Sequence, residues 1–149
     1  MRLSNRTIYG LRAVLDLAYH GDGEPTQVRE IADRGAIPNR FLEQIFQDLK
    51  KAGIVVSKRG PGGGYILVAN PETLTLAKMF AVLDDLPTLP EVASDGETEG
   101  AAMIADKACR EMVDQMVEVL EEVTVADLVK RGEKLGLARD GYEGFVYVI

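Results

Sequence analysis

The sequence is poor in the groups that most often announce chemistry. Its 149 residues include one cysteine and one histidine. A lone cysteine, Cys109, excludes an internal disulfide framework. The opening stretch "MRLSNRTIYG" lacks the apolar core of a secretory leader, so the expected compartment is the cytoplasm. No run of about eighteen apolar residues occurs, which excludes a membrane-spanning helix. His20 stands at the end of a predicted helix, where capping or solvation is expected rather than metal binding. There is no convincing Ser–His or Cys–His pairing, no recognisable carboxylate pair and no metal-ligand cluster. Neither an enzyme nor a metal site is expected.

What is present is unevenly spread. Net charge is −7, but residues 1–70 hold ten Lys/Arg against seven Asp/Glu, while residues 71–149 hold seven against seventeen. The first part, at +3, can approach a polyanion. The second, at −10, cannot. Such asymmetry points to a nucleic-acid-binding module with an acidic appendage.

Hydrophobic spacing divides the chain into helices and one hairpin. Ile8, Leu11, Leu15, Ala18 and Tyr19 predict a helix over 5–20. "HGDGEP" breaks it. A short helix follows, with Thr26 as expected N-cap and Val28, Ile31 and Ala32 inward, stopping at Gly35. After "GAIP" a third helix is predicted over 39–51. Leu42, Ile45, Phe46 and Leu49 form its buried stripe, and Asn39, Arg40, Glu43, Gln44 and Gln47 its polar face. Residues 54–57 and 65–68 have strand composition. A helix over 75–85 carries Leu76, Met79, Phe80 and Leu83 inward. After an acidic, proline-bearing loop, a long helix is predicted over 102–122. Cys109, Val113, Met116, Leu120 and Val123 on it are spaced like a coiled-coil seam, widened by Met112 and Val119. Met103, Met112 and Met116 read as core or interface filler. Thr124 caps a further short helix, and "GYEGFVYVI" reads as a terminal strand that packs on its own dimer, the alternatives being recruitment of a partner or strand exchange.

The stretch "SKRGPGGGYILV" lies between the two predicted strands. A phosphate-binding loop would need Lys-Ser/Thr after the glycines and then a helix. A strand follows instead, so the glycines form a slim hairpin tip beside Lys58 and Arg59. Three helices followed by such a hairpin are the order of a winged helix-turn-helix. The expected fold is mainly α, with a small β-hairpin wing and a long dimerisation helix. Polar groups at the start of the third helix suit base edges in a major groove, and a thin cationic loop suits a narrow minor groove.

"YGLRAVLDLA", "REIADRGAIPNRFLEQIFQDLKKAGIVVSKRGPGGGYILV" and "LTLAKMFAVLDD" resemble the Rrf2 family of bacterial transcription regulators. Its branches include iron–sulfur cluster, nitric-oxide and cysteine-metabolism regulators. The likeness covers residues 1–86 and, through "VTVADLV", extends to about residue 131. It implies a homodimer, a repressor of transcription, on a roughly palindromic double-stranded DNA operator. The domains expected are a winged helix-turn-helix (1–86), an acidic loop (87–101), dimerisation helices (102–131) and a strand-forming extension (132–149). The DNA-binding residues so implied are Thr26, Pro38, Asn39, Arg40, Glu43, Gln44, Lys58, Arg59, Gly60, Gly62 and Gly63, with Glu43 accepting from cytosine. The dimer interface is assigned to Val113, Met116, Leu120 and Val123.

Sensing is where the sequence departs from this family. Cluster-binding members carry three cysteines before and within the long helix, and here Cys109 matches only the last. No cofactor, and in particular no iron–sulfur cluster, is expected. Cys109 is expected to be a buried thiol on the apolar seam, the alternative being a redox sensor. The alternative function is an interaction protein that regulates through a partner.

Overall fold

The computed structural model describes residues 3–89 and 98–137. In chain order it contains α1 (Asn5–His20), α2 (Val28–Gly35), α3 (Asn39–Lys51), β1 (Val55–Lys58), β2 (Gly64–Leu67), α4 (Leu76–Leu83), α5 (Ala101–Glu122) and α6 (Val125–Lys134).

α1 lies at the centre and packs against α2, α3, α4, α6 and β2. Its side chains are therefore enclosed on several sides, and the buried set differs from the stripe predicted. Ala13, Val14, Leu17 and Tyr19 are buried, Leu11, Leu15 and Ala18 are half-buried, and Ile8 is 37% exposed. Ser4 caps the helix, its Oγ accepting from the Thr7 backbone N–H at 3.1 Å. The Thr7 hydroxyl donates to Asp84 at 3.2 Å, joining the start of α1 to the end of α4. Hydrogen bonds from Ser4, the Asp85 backbone and Thr7 hold the Asp84 carboxyl below the usual carboxylate range.

The turn between α2 and α3 is tight. Ala36 takes a left-handed conformation (φ 49, ψ 50), Ile37 is buried, and the Ile37 N–H donates to the Ala32 carbonyl at 2.9 Å. α3 then turns Leu42, Ile45, Phe46 and Leu49 into the core, as their spacing predicts. β1 and β2 pair antiparallel, Val55 opposite Leu67 and Lys58 opposite Gly64. The strands sit one residue from their predicted bounds because the Ile54 carbonyl accepts from both Val68 and Ala69 and closes the hairpin base.

α4 is shorter than predicted, with Thr75 outside the helix as its N-cap. Its capping Oγ1 accepts from the Lys78 N–H at 3.2 Å. The same region receives the chain returning from α5. Thr75 and Thr124 form an antiparallel bridge, with Leu76 donating to Val123 and Val125 to Leu74. Thr124 and Asp127 then close a reciprocal capping box at the start of α6. Val125 and Val129 of α6 belong to the same hydrophobic core as α1 and α3, and the Tyr19 hydroxyl donates to the Val129 carbonyl at 2.7 Å.

α5 behaves differently. None of its 22 residues, all of them described, is buried. Val113, Met116, Leu120 and Val123 are half-buried, while Met103, Ile104, Met112 and Val119 are more than half exposed. Cys109, expected to be a buried thiol, is exposed, because among the described residues no neighbouring element covers this part of the seam. The predicted C-terminal strand lies outside the described residues.

Candidate nucleic-acid interface

The exposed face of α3 and the hairpin tip form the candidate site. Pro38, Asn39, Arg40, Glu43, Gln44 and Gln47 are all exposed. Pro38 is the N-cap residue and makes no side-chain cap bond, so the backbone N–H groups of the first turn of α3 are not capped by its side chain. The Arg40 guanidinium lies over the Phe41 ring at 5.1 Å, which keeps its stem on the protein surface. On the opposite face, Phe46 stacks flat on Tyr65 of β2, with centroids 4.0 Å apart and planes within 6°. Lys50 at the end of α3 donates to Ser57 of β1 at 2.8 Å. These two contacts couple the wing to α3.

The hairpin tip carries Lys58 and Arg59, both exposed. Its glycines serve separate purposes. Gly60 and Gly62 have φ of 94° and 71°, a backbone region that disfavours any side chain. Gly63 and Gly64 are required by close approach. A Cβ on Gly63 would collide with the Lys58 carbonyl oxygen, and one on Gly64 with the Thr26 carbonyl oxygen. The tip is thus thin because its backbone folds back on itself, closed by the Gly63 N–H to the Gly60 carbonyl at 2.9 Å.

Thr26 requires correction. It does not cap α2, whose N-cap is Gln27 with no side-chain bond. It is 5% exposed, and its N–H and carbonyl pair with Tyr65 at 2.9 Å each way. It works as a third, one-residue strand that fixes the wing to the start of α2. Extended backbone beside β2 competes here with capping, and the pairing wins because Gly64 leaves room for it.

Sequence spacing did not point to the ion pairs behind this surface. Arg34 of α2 forms a two-pronged bond to Asp16 of α1 at 2.8 and 2.9 Å. Arg6 of α1 pairs with Asp48 of α3, 42 residues away.

Helices α1–α3 followed by the β1–β2 hairpin make this a winged helix-turn-helix protein. The chain belongs to the Rrf2 family, described as iron-dependent transcriptional regulators, which matches residues 3–131. It is 30% identical over 139 residues to the HTH-type transcriptional regulator IscR of Vibrio campbellii, covering 93% of this chain and 83% of the relative. Among solved structures it resembles CymR, the global cysteine regulator of B. subtilis, with a TM-score of 0.76 and 32% identity over 88% of this chain and 98% of that one. It also resembles T. potens IscR, with a TM-score of 0.74 and 28% identity over 93% of each chain.

The family description names iron, and the donors here do not suit an iron–sulfur cluster. Such a cluster draws on several thiolate or imidazole ligands. Cys109 is the one thiol of the chain, and His20 is on α1, a different element. Among the described residues no three His, Cys, Asp or Glu side chains converge to hold a metal ion.

Proposed function

We propose that this chain represses transcription as a homodimer bound to a pseudo-palindromic operator. α3 enters the major groove through Asn39, Arg40, Glu43 and Gln44, with Pro38 at its mouth. The wing, Lys58 and Arg59 on Gly60, Gly62 and Gly63, reaches the adjacent minor groove. The observation that carries this reading is the exposed polar face of α3 beside a glycine-thinned cationic tip. Charge supports it, since the basic excess lies in residues 1–70. Thr26, being buried, is left out of the contact set.

The dimer rests on α5. Leu3 and Phe80 join Met112, Met116, Val119 and Leu120 around an apolar groove of about 600 Å³. A solvated helix rarely keeps so broad an apolar stripe uncovered, and a second copy of α5 would bury it. Twofold symmetry then sets two α3 helices on successive half-sites. Retention of a randomised duplex pool at low salt, its loss at high salt, and enrichment of an inverted repeat would test the proposal. A protein that elutes without DNA at every salt concentration would refute it.

A second reading is favoured by the exposure of Cys109: oxidation of this thiol modulates binding. Equal DNA affinity of wild type and Cys109→Ser under oxidising conditions would remove it.

A further inference from the structure

Gln44 stands on the exposed face of α3, with its amide nitrogen turned back toward Asp48. Its Nε2 lies 3.4 Å from Oδ1 and 3.2 Å from Oδ2 of Asp48, one helical turn further on. The Asp48 side chain is only 18% exposed. The Arg6 guanidinium of α1 holds it from across the helix interface, and the Lys51 ammonium stands 3.8 Å from its Oδ1. An ionised carboxylate accepts hydrogen bonds and cannot donate. Only the NH₂ end of Gln44 can face it. A turned amide would set Oε1 against two carboxylate oxygens.

We propose that Asp48, clamped by Arg6, is a positioning residue that fixes the amide polarity of Gln44 and makes Gln44 a reader of adenine. The inference rests on the reading of α3 as the helix that meets the major groove. With one Nε2 hydrogen committed to Asp48, Gln44 keeps Oε1 as an acceptor and one N–H as a donor. Adenine offers the matching pair, a donor at N6 and an acceptor at N7. Guanine presents two acceptors, so its O6 would face Oε1. Cytosine and thymine offer one polar edge group each and can make one bond. Without the carboxylate the amide turns either way, and this discrimination falls. Arg6 contributes at a distance: it holds the carboxylate in place from α1 and touches no base in this scheme.

Binding-site selection from a pool of randomised duplexes tests this, using full-length wild type, Gln44→Ala, Asp48→Asn and Arg6→Gln. Wild type is expected to enrich a symmetric motif. Gln44→Ala should erase the preference at one position in each half-site and so mark the base that Gln44 reads. At that position wild type should prefer adenine about ten-fold. Asp48→Asn, whose amide satisfies either orientation of Gln44, should lower this to about two- or three-fold and leave the other positions alone. Arg6→Gln should act in the same direction more weakly, because Lys51 remains. If Asp48→Asn loses its helical circular dichroism, Arg6→Gln decides by the same criterion. The proposal is overturned if the marked base is not adenine. It is equally overturned if both variants keep full preference there, or weaken every position alike, as a purely structural role would. In those cases the DNA-reading assignment of α3 stands. If wild type enriches no motif at all, that assignment falls and this inference with it.

Discussion

α3 and α5 are both amphipathic, and their apolar residues meet opposite fates. In α3, Leu42, Ile45, Phe46 and Leu49 are at most 1% exposed, enclosed by α1, α2, α4 and the wing. In α5, four large apolar residues exceed 50% exposure, and among the described residues α4 is its principal contact. Helical spacing says that a face seeks cover. It does not say whose residues provide it. Where several elements converge, one chain suffices. Where a long helix projects past the other described elements, the proposed dimer supplies the cover from a second copy. If α5 pairs as proposed, the contrast divides the protein into a part whose stability is intramolecular and a part whose stability depends on concentration.

The sharpest way to break this contrast is to damage α3. Phe46→Ala removes a ring that is fully buried and stacked on Tyr65. A loss of about 3–5 kcal/mol is expected in chemical denaturation, since large-to-small core changes leave a cavity. DNA binding should weaken as well, because the same ring supports the wing. A loss below about 1 kcal/mol would mean that the core collapses around the gap.

Leu120→Asp addresses the other side. A carboxylate forced into an apolar contact should weaken dimerisation by about a hundred-fold or more, equivalent to about 3 kcal/mol. Light scattering should report monomers or aggregates, while the helical signal of the core remains. A soluble dimer of full affinity would place the interface away from α5.

Arg59→Ala should leave both stability and dimerisation untouched, because the residue is exposed at the wing tip. DNA affinity should fall, and the slope of log affinity against log salt should flatten by about one if one phosphate contact is lost. Fluorescence titrations at several salt concentrations measure this, and identical slopes would take Arg59 out of the interface.

Thr124→Ala probes the joint between the two parts. It removes the capping oxygen that accepts from the Asp127 N–H at 3.2 Å and should cost about 1 kcal/mol. Bonds from the Thr124 backbone and hydroxyl, with Lys130 and Arg131 nearby, hold the Asp127 carboxyl below its ordinary value. A carboxyl depressed in the folded state stabilises it above the unfolded pKa, and that contribution is lost as pH falls through the folded pKa. The difference between wild type and Thr124→Ala should therefore shrink on acidification below the ordinary carboxylate range. A difference that stays constant down to strong acid would show that Asp127 contributes nothing through its charge.

The smallest expected effect is a labelling rate. Cys109 is exposed in the single chain and lies on the α5 seam. A maleimide should react more slowly with the wild-type dimer than with monomeric Leu120→Asp. Equal rates would set Cys109 outside the covered stripe.

Much of this was legible from local pattern. The periods of α3 and α4, the strand composition around the glycines and the Thr124 cap depend on neighbours within a few residues, so sequence spacing reports them. The polar face of α3 was readable for the same reason. Thr26 was misread because Ser and Thr before a helix signal a cap unless another backbone arrives first, and here Tyr65 arrives from 39 positions away. On α1, Ile8 belongs to the predicted apolar stripe yet is exposed, and Ala13, outside that stripe, is buried, because a helix touched on several sides has no single apolar face.

What the amino-acid order determined by itself, then, was the list of elements, the slim cationic hairpin and the uneven charge, all products of local sterics and composition. Tertiary structure decided which elements share a core, with α6 returning across α4 to pack against α1. It decided the partners of Arg6 and Asp48, and the exposure of α5 and its thiol. Contacts between distant residues depend on how the elements assemble, and no local propensity encodes that assembly.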